Sequence, residues 1–147
     1  MRFEGQISKQ GRFWAVEVPI LGLVTQGKSR TDAYRMVADA IEELVQKPDF
    51  SVEVFPSDGT YFEVGSADTG TLMALLLKRQ RLLHGVTLAE AASRLQTTSP
   101  NTYARYEQGR AKPSVEQLGR LLRAVNPGSD LVLTTSRPRQ PRATISS

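Results

Sequence analysis

Along the chain, polar and apolar positions change their period near residue 69. Before that point short alternating runs dominate. Phe3, Gly5 and Ile7 alternate with Glu4, Gln6 and Ser8, which is the period of a strand. Gln10-Gly11 suits a hairpin turn, and Phe13 to Val18, rich in aromatic and β-branched residues, reads as the returning strand. Pro19 lacks the N–H that a ladder needs and ends it. Gly22 to Thr25 predicts a short third strand, and Gln26-Gly27 a turn. Ser29, with Asp32 three residues on, marks a helix start. Ala33, Val37, Ala40 and Leu44 then form an apolar stripe with Ile41 beside it, until Lys47-Pro48 stops the helix. Ser51 to Phe55 and Tyr61 to Val64 read as strands around the turn residues Ser57-Asp58-Gly59. The expected first domain, residues 1–66, is a β-β-β-α-β layer with one helix packed on a small sheet.

From residue 69 the period becomes helical. Leu72, Leu75, Leu76, Leu82 and Leu83 share a helix that Gly85 closes. Thr87, with Glu90 three residues later, opens a second helix running through Leu95. Gln96-Thr97-Thr98 makes a short turn. Ser99-Pro100 supplies an N-cap and a proline at the first helical position, and the third helix runs to Gly109. Pro113-Ser114 starts a fourth, with Gln117 completing its capping box and Val115, Leu118, Leu121, Leu122 and Val125 on its apolar face. Asn126-Pro127-Gly128 ends it. Four helices with a three-residue turn between the second and third are the signature of a helix-turn-helix domain, here residues 69–128. The fold class is therefore α+β: a small N-terminal domain, then an all-α domain. Residues 129–136 include the β-prone run Asp130 to Thr135, a candidate dimerisation strand. Residues 137–147 are polar and basic and contain proline, so disorder is expected.

Charge divides at the same boundary. Residues 1–68 carry seven Lys/Arg against eleven Asp/Glu, a net −4, whereas residues 69–147 carry twelve against four, a net +8. A basic half suits a polyanion and an acidic half a basic partner. There is no cysteine, so disulfides and thiolate metal sites are excluded. No basic stretch leads into an apolar one at the N-terminus, and the longest apolar run, Leu72 to Leu77, is too short to cross a bilayer. A soluble cytoplasmic protein without membrane association is expected, nucleoid-associated when bound to DNA.

The chemistry the residues suggest is binding. In a helix-turn-helix the third helix enters the major groove with its N-terminal residues at base edges. Asn101 can pair with adenine and Arg105 with guanine, while Ser99 and Thr102 can serve bases or phosphates. Arg110 and Lys112, just past the helix, are placed for phosphates. Tyr103 and Tyr106 are expected to pack inward. A nuclease would need several carboxylates converging on metal ions, and the first hairpin offers only Glu4 and Glu17, with no second pair placed to join them. Trp14 reads as core more readily than as interface. His84, the sole histidine, sits at a helix C-terminus that favours positive charge, and a lone histidine there is no catalytic site. The expectation is of no enzyme, metal site or cofactor.

Two resemblances sharpen this. The hairpin, the string Val18-Pro19-Ile20-Leu21-Gly22-Leu23-Val24-Thr25-Gln26-Gly27 and the helix start Ser29-Arg30-Thr31-Asp32-Ala33 resemble the HicB antitoxins over roughly the first 50 residues. That resemblance implies a truncated, partial RNase H-like fold that binds and blocks an mRNA-cleaving ribonuclease toxin, HicA. It makes Trp14, Glu17, Pro19, Gly22 and Thr25 candidate toxin contacts. Arg81 through Thr87, Leu95, and Tyr106-Glu107-Gln108-Gly109-Arg110-Ala111-Lys112-Pro113-Ser114 resemble the Xre/Cro-like repressors, and Tyr103 to Glu107 resembles the Xre-type tail of some HicB proteins. Glu107 would repel phosphate if exposed, so it is expected to bond inward, to Arg81. Leu88 stands where that family commonly has a phosphate-contacting glutamine. Together these imply an antitoxin of a type II toxin–antitoxin pair, at least dimeric, that neutralises a HicA-like toxin and represses its own operon at operator DNA. The alternative is a stand-alone Xre-type repressor whose N-domain dimerises or senses a ligand.

Overall fold

In the computed structural model of the protein, residues 1–96, 99 and 101–136 are described. The expected turn at Thr97-Thr98, the role of Pro100 and the tail 137–147 lie outside them. The chain divides into two compact units. One holds Met1–Pro19 and Leu23–Ala67, and the other holds Ile20–Gly22 and Asp68–Leu133. The class is α+β, an N-terminal antiparallel sheet with five α-helices among the described residues.

The first unit is built on β1 (Arg2–Gln10), which pairs antiparallel with β2 (Phe13–Val18) on one side. On its other side it pairs with β5 (Tyr61–Gly65). β3 (Leu23–Gly27) extends the sheet beyond β2, and β4 (Glu53–Pro56) extends it beyond β5, giving the order β3-β2-β1-β5-β4. The two runs read as strands after the helix, Ser51 to Phe55 and Tyr61 to Val64, are β4 and β5, so the order is β-β-β-α-β-β, one strand more than the expected β-β-β-α-β layer. The tight Ser57–Thr60 connection lets these two pair with each other while β5 also reaches β1.

One face of the sheet carries Phe3, Ile7, Val16, Val18, Phe62 and Val64, all buried against α1 (Arg30–Val45). The helix begins where its sequence predicts: Ser29 Oγ accepts from Asp32 N, and Asp32 Oδ2 accepts from Lys28 N. Arg35 pairs with the same carboxylate. That ion pair first, and the Lys28 amide second, hold Asp32 below the usual carboxylate range. The buried line runs Ala33, Tyr34, Val37, Ile41, and Leu44 is exposed. Steps of four residues follow a ridge of the helix, whereas the stripe drawn through Ala40 and Leu44 drifts off the sheet. The helix stops at Val45 because Gln46 turns left-handed, φ 51°, one residue before Lys47-Pro48.

Two glycines let layers approach closely. Phe62 lies over Gly5, so that a β-carbon there would sit 2.1 Å from its ring, and Tyr34 meets the same ring edge-on with centroids 5.3 Å apart. Gly27, expected in a turn, instead ends β3 against the first turn of α1, where a β-carbon would lie 2.3 Å from Ala33 N.

The second unit is helical: α2 (Thr69–Leu83), α3 (Leu88–Arg94), α4 (Asn101–Glu107) and α5 (Val115–Val125). Asp68, Thr87 and Ser114 cap α2, α3 and α5 through their side chains. Leu72, Leu77, Ala91, Tyr103, Leu121 and Val125 form the centre of its core. Val115, assigned by spacing to the apolar face of α5, is exposed, as are Leu82 and Leu83. All three fall at helix ends, where the stripe runs past its partner helices. The Ile20–Gly22 turn groups with this unit, Gln80 donating to Ile20 O at 2.7 Å and Arg79 Nε to Leu21 O at 2.7 Å. Residues 131–136 take no regular secondary structure in the single chain.

Gly27→Ala tests the close approach. The neighbours are backbone and cannot move aside, so urea unfolding of the first unit should show a loss of about 1–3 kcal/mol or more.

Candidate nucleic-acid interface

The placement of α4 follows from its two ends and one ion pair. At its start Ser99 Oγ accepts from Asn101 N at 3.3 Å and Ser99 O from Thr102 N at 3.2 Å. At its end Gly109, φ 73°, turns the chain so that Gly109 N donates to Tyr106 O and Arg110 N to Arg105 O. This is a Schellman closure. The same motif ends α2, with Gly85 at φ 63°, Gly85 N on Leu82 O and Val86 N on Arg81 O. Between the two closures lies the ion pair. Arg81 donates from Nε to Glu107 Oε2 at 2.8 Å and from Nη2 to Oε1 at 2.7 Å, and its Nη1 reaches Val86 O at 3.1 Å. The side chains are only 13% and 7% exposed. Glu107, hydrogen bonded to it, raises the Arg81 pKa above the ordinary arginine value. Tyr103 is fully buried beside the pair, its hydroxyl donating to Leu77 O at 3.3 Å. Burial first, then the Glu107 charge, pushes the phenol far above its usual range, so it stays neutral.

With Tyr103 and Glu107 turned inward, the opposite face of α4 is free. Asn101 and Arg105, one turn apart, are both exposed, and Thr102 is half-buried. Ser99, Arg110 and Lys112 are exposed as well. Lys112 runs its stem beside Gly70 in the first turn of α2. All six residues named for DNA contact therefore belong to the second unit, four at or on α4 and two in the loop that follows it. Tyr106 is half-buried, and Leu88, in the place of a phosphate-contacting glutamine, is exposed at the start of α3.

The five candidate toxin contacts do not make one surface. Trp14 is half-buried on the helix side of the sheet, with the Arg30 guanidinium 4.8 Å above its ring, and Thr25 shares that side through its pairing with Val16. Glu17 pairs with Val24 on the other face, and both are exposed. Pro19 opens a 3-10 turn, and Gly22 groups with the second unit. Sequence reasoning also missed a partner for Glu4. Glu63 stands opposite it across β1 and β5, and Tyr61 OH donates to Glu63 at 2.7 Å and to Glu4 at 3.4 Å. Arg2 pairs with Glu63 at 3.1 Å. Nothing local to either strand carries that register. Among the described residues no group of three His, Cys, Asp or Glu side chains is placed to hold a metal ion.

Residues 72–132 match the family model of a helix-turn-helix domain. No curated protein matches the chain. Among the described residues no helix is long and apolar enough to cross a membrane. The match covers all of α3, α4 and α5 and most of α2, and it supports a DNA-binding regulator of transcription.

The two kinds of contact separate experimentally. Arg105→Ala should cost ~1–3 kcal/mol and relax specificity at one base position, whereas Lys112→Ala should weaken binding to every sequence alike. Equal losses from both on all sequences, measured by gel shift, would remove the base-reading role of Arg105.

Proposed function

We propose that the chain is an antitoxin that represses its own operon through the second unit and masks a HicA-like ribonuclease toxin with the first. The observation that carries the DNA half is the exposed Asn101–Arg105 face of α4, held outward by the buried Arg81–Glu107 pair, with Arg110 and Lys112 beside it. The charge balance agrees, since the half containing α4 is basic. The toxin half rests on the sequence resemblance of the first 50 residues and on the acidic balance of residues 1–68. Masking needs only burial of the toxin's active or RNA-binding face, so this chain supplies no chemistry, and Glu4 and Glu63 serve the sheet. The partial RNase H-like description of the first unit belongs to the same reading.

An operator with two half-sites calls for a dimer. The segment after α5 is suited to supply it. Leu131 rests near Gly119, Asp130 pairs with Arg123 at 3.2 Å, and Val132 and Leu133 are each 83% exposed. An exposed, apolar and β-prone run of this kind pairs readily with its own copy. The second reading, a stand-alone repressor, keeps the DNA half and drops the toxin.

Recovery of the tagged chain from its native host, with bound species weighed by mass spectrometry, separates the two. A small basic protein in fixed ratio, released only by denaturant, is the expected result. Recovery with DNA and no protein partner would leave the stand-alone repressor.

A further inference from the structure

The second unit holds a basic cleft that the DNA face does not use. It has a volume of about 460 Å³ and is walled by Arg94 and Gln96 on one side and by Arg120, Arg123 and Ala124 on the other. Arg94, in the last turn of α3, is fixed there by its Nη1 hydrogen bond to Ala124 O at 2.9 Å, which links α3 to the C-terminal end of α5. Arg120 and Arg123 lie three residues apart on α5 and so share a face. Their side-chain partners are exposed or distant. Arg120 reaches Gln117 at 3.4 Å, Arg123 reaches an Asp130 side chain that is 77% exposed, and Arg94 stands 4.0 Å from Glu90. Three arginines thus line one open space, and two of them lie within ion-pair reach of exposed carboxylates. Along α5 the two arginines stand about 9 and 13 Å beyond Ser114, leading away from the Arg110–Lys112 loop.

We propose that this cleft binds a small molecule carrying two or more anionic groups, of the diphosphate type. Paired guanidinium forks match phosphate oxygens in geometry and charge. A ligand of this kind displaces Glu90 and Asp130 from the rim and bridges Arg94 to Arg120 and Arg123. It thereby clamps the first helix of the helix-turn-helix to α5. The site needs neither toxin nor operator, so it stands or falls apart from the antitoxin reading.

Pyrophosphate is the probe, titrated into the full chain by calorimetry with the arginine Nε–H signals followed by NMR. Saturable binding that moves the Arg94, Arg120 and Arg123 signals is the expected result. Arg120→Ala/Arg123→Ala, both exposed positions, should weaken it by about tenfold or more, the loss of two charge-assisted bonds. Lys9→Ala/Arg12→Ala, which removes two exposed cations from the first unit, should leave it unchanged. Absence of saturation, equal weakening in both double variants, or full displacement by duplex DNA would each overturn the proposal.

Discussion

The second unit depends on one buried contact, the two-pronged bond between Arg81 and Glu107. An arginine and a glutamate withdrawn from water are costly unless each donor and acceptor finds a partner. Here the guanidinium is shared between both carboxylate oxygens and the Val86 carbonyl. Removing either member would strand the other, a loss of ~3–5 kcal/mol in buried pairs. The pair therefore fixes the rotation of α4 about its axis. Tyr103 and Glu107 face α2, and Asn101 and Arg105 face outward. The glycine closures at Gly85 and Gly109 complete the arrangement, since each ends its helix within a few residues of one member of the pair.

The first unit rests on a different constraint, the close approach of layers. β1 is central, paired on both sides, and its inward residues alternate strictly with outward ones. Within the sheet Phe62 fits over Gly5, and the first turn of α1 fits over Gly27, so neither position has room for a side chain. Arg30 over Trp14 closes one end of that layer. The outward face at β2 and β3 keeps Glu17, Val24 and Gln26 exposed, a surface of mixed polarity.

What could be read from the residues alone was what they do locally or through a known pattern. The pairs Ser29 with Asp32, Thr87 with Glu90 and Ser114 with Gln117 need only three residues to act, and each caps its helix as its spacing implies. The hairpin register follows from a short turn. Glu107 was legible because an exposed carboxylate near phosphate is unfavourable and the repressor resemblance offers Arg81 as its partner. Long-range placement was not legible. Glu63 meets Glu4 only because β5 pairs with β1, and Gly27 looked like a turn residue because its reason for being glycine is a helix packed across it. The scatter of Trp14, Glu17, Pro19, Gly22 and Thr25 has the same origin. Adjacency in sequence says nothing about which side of a sheet a residue takes until the register is known.

The most direct test of the central claim is amide hydrogen exchange of α4, read alongside affinity for duplex DNA, in Glu107→Gln. Loss of the charge should speed exchange across Asn101–Glu107 and weaken DNA binding together. Unchanged protection of α4 with unchanged affinity would contradict that claim, since the recognition face would then hold its place without the Arg81–Glu107 pair.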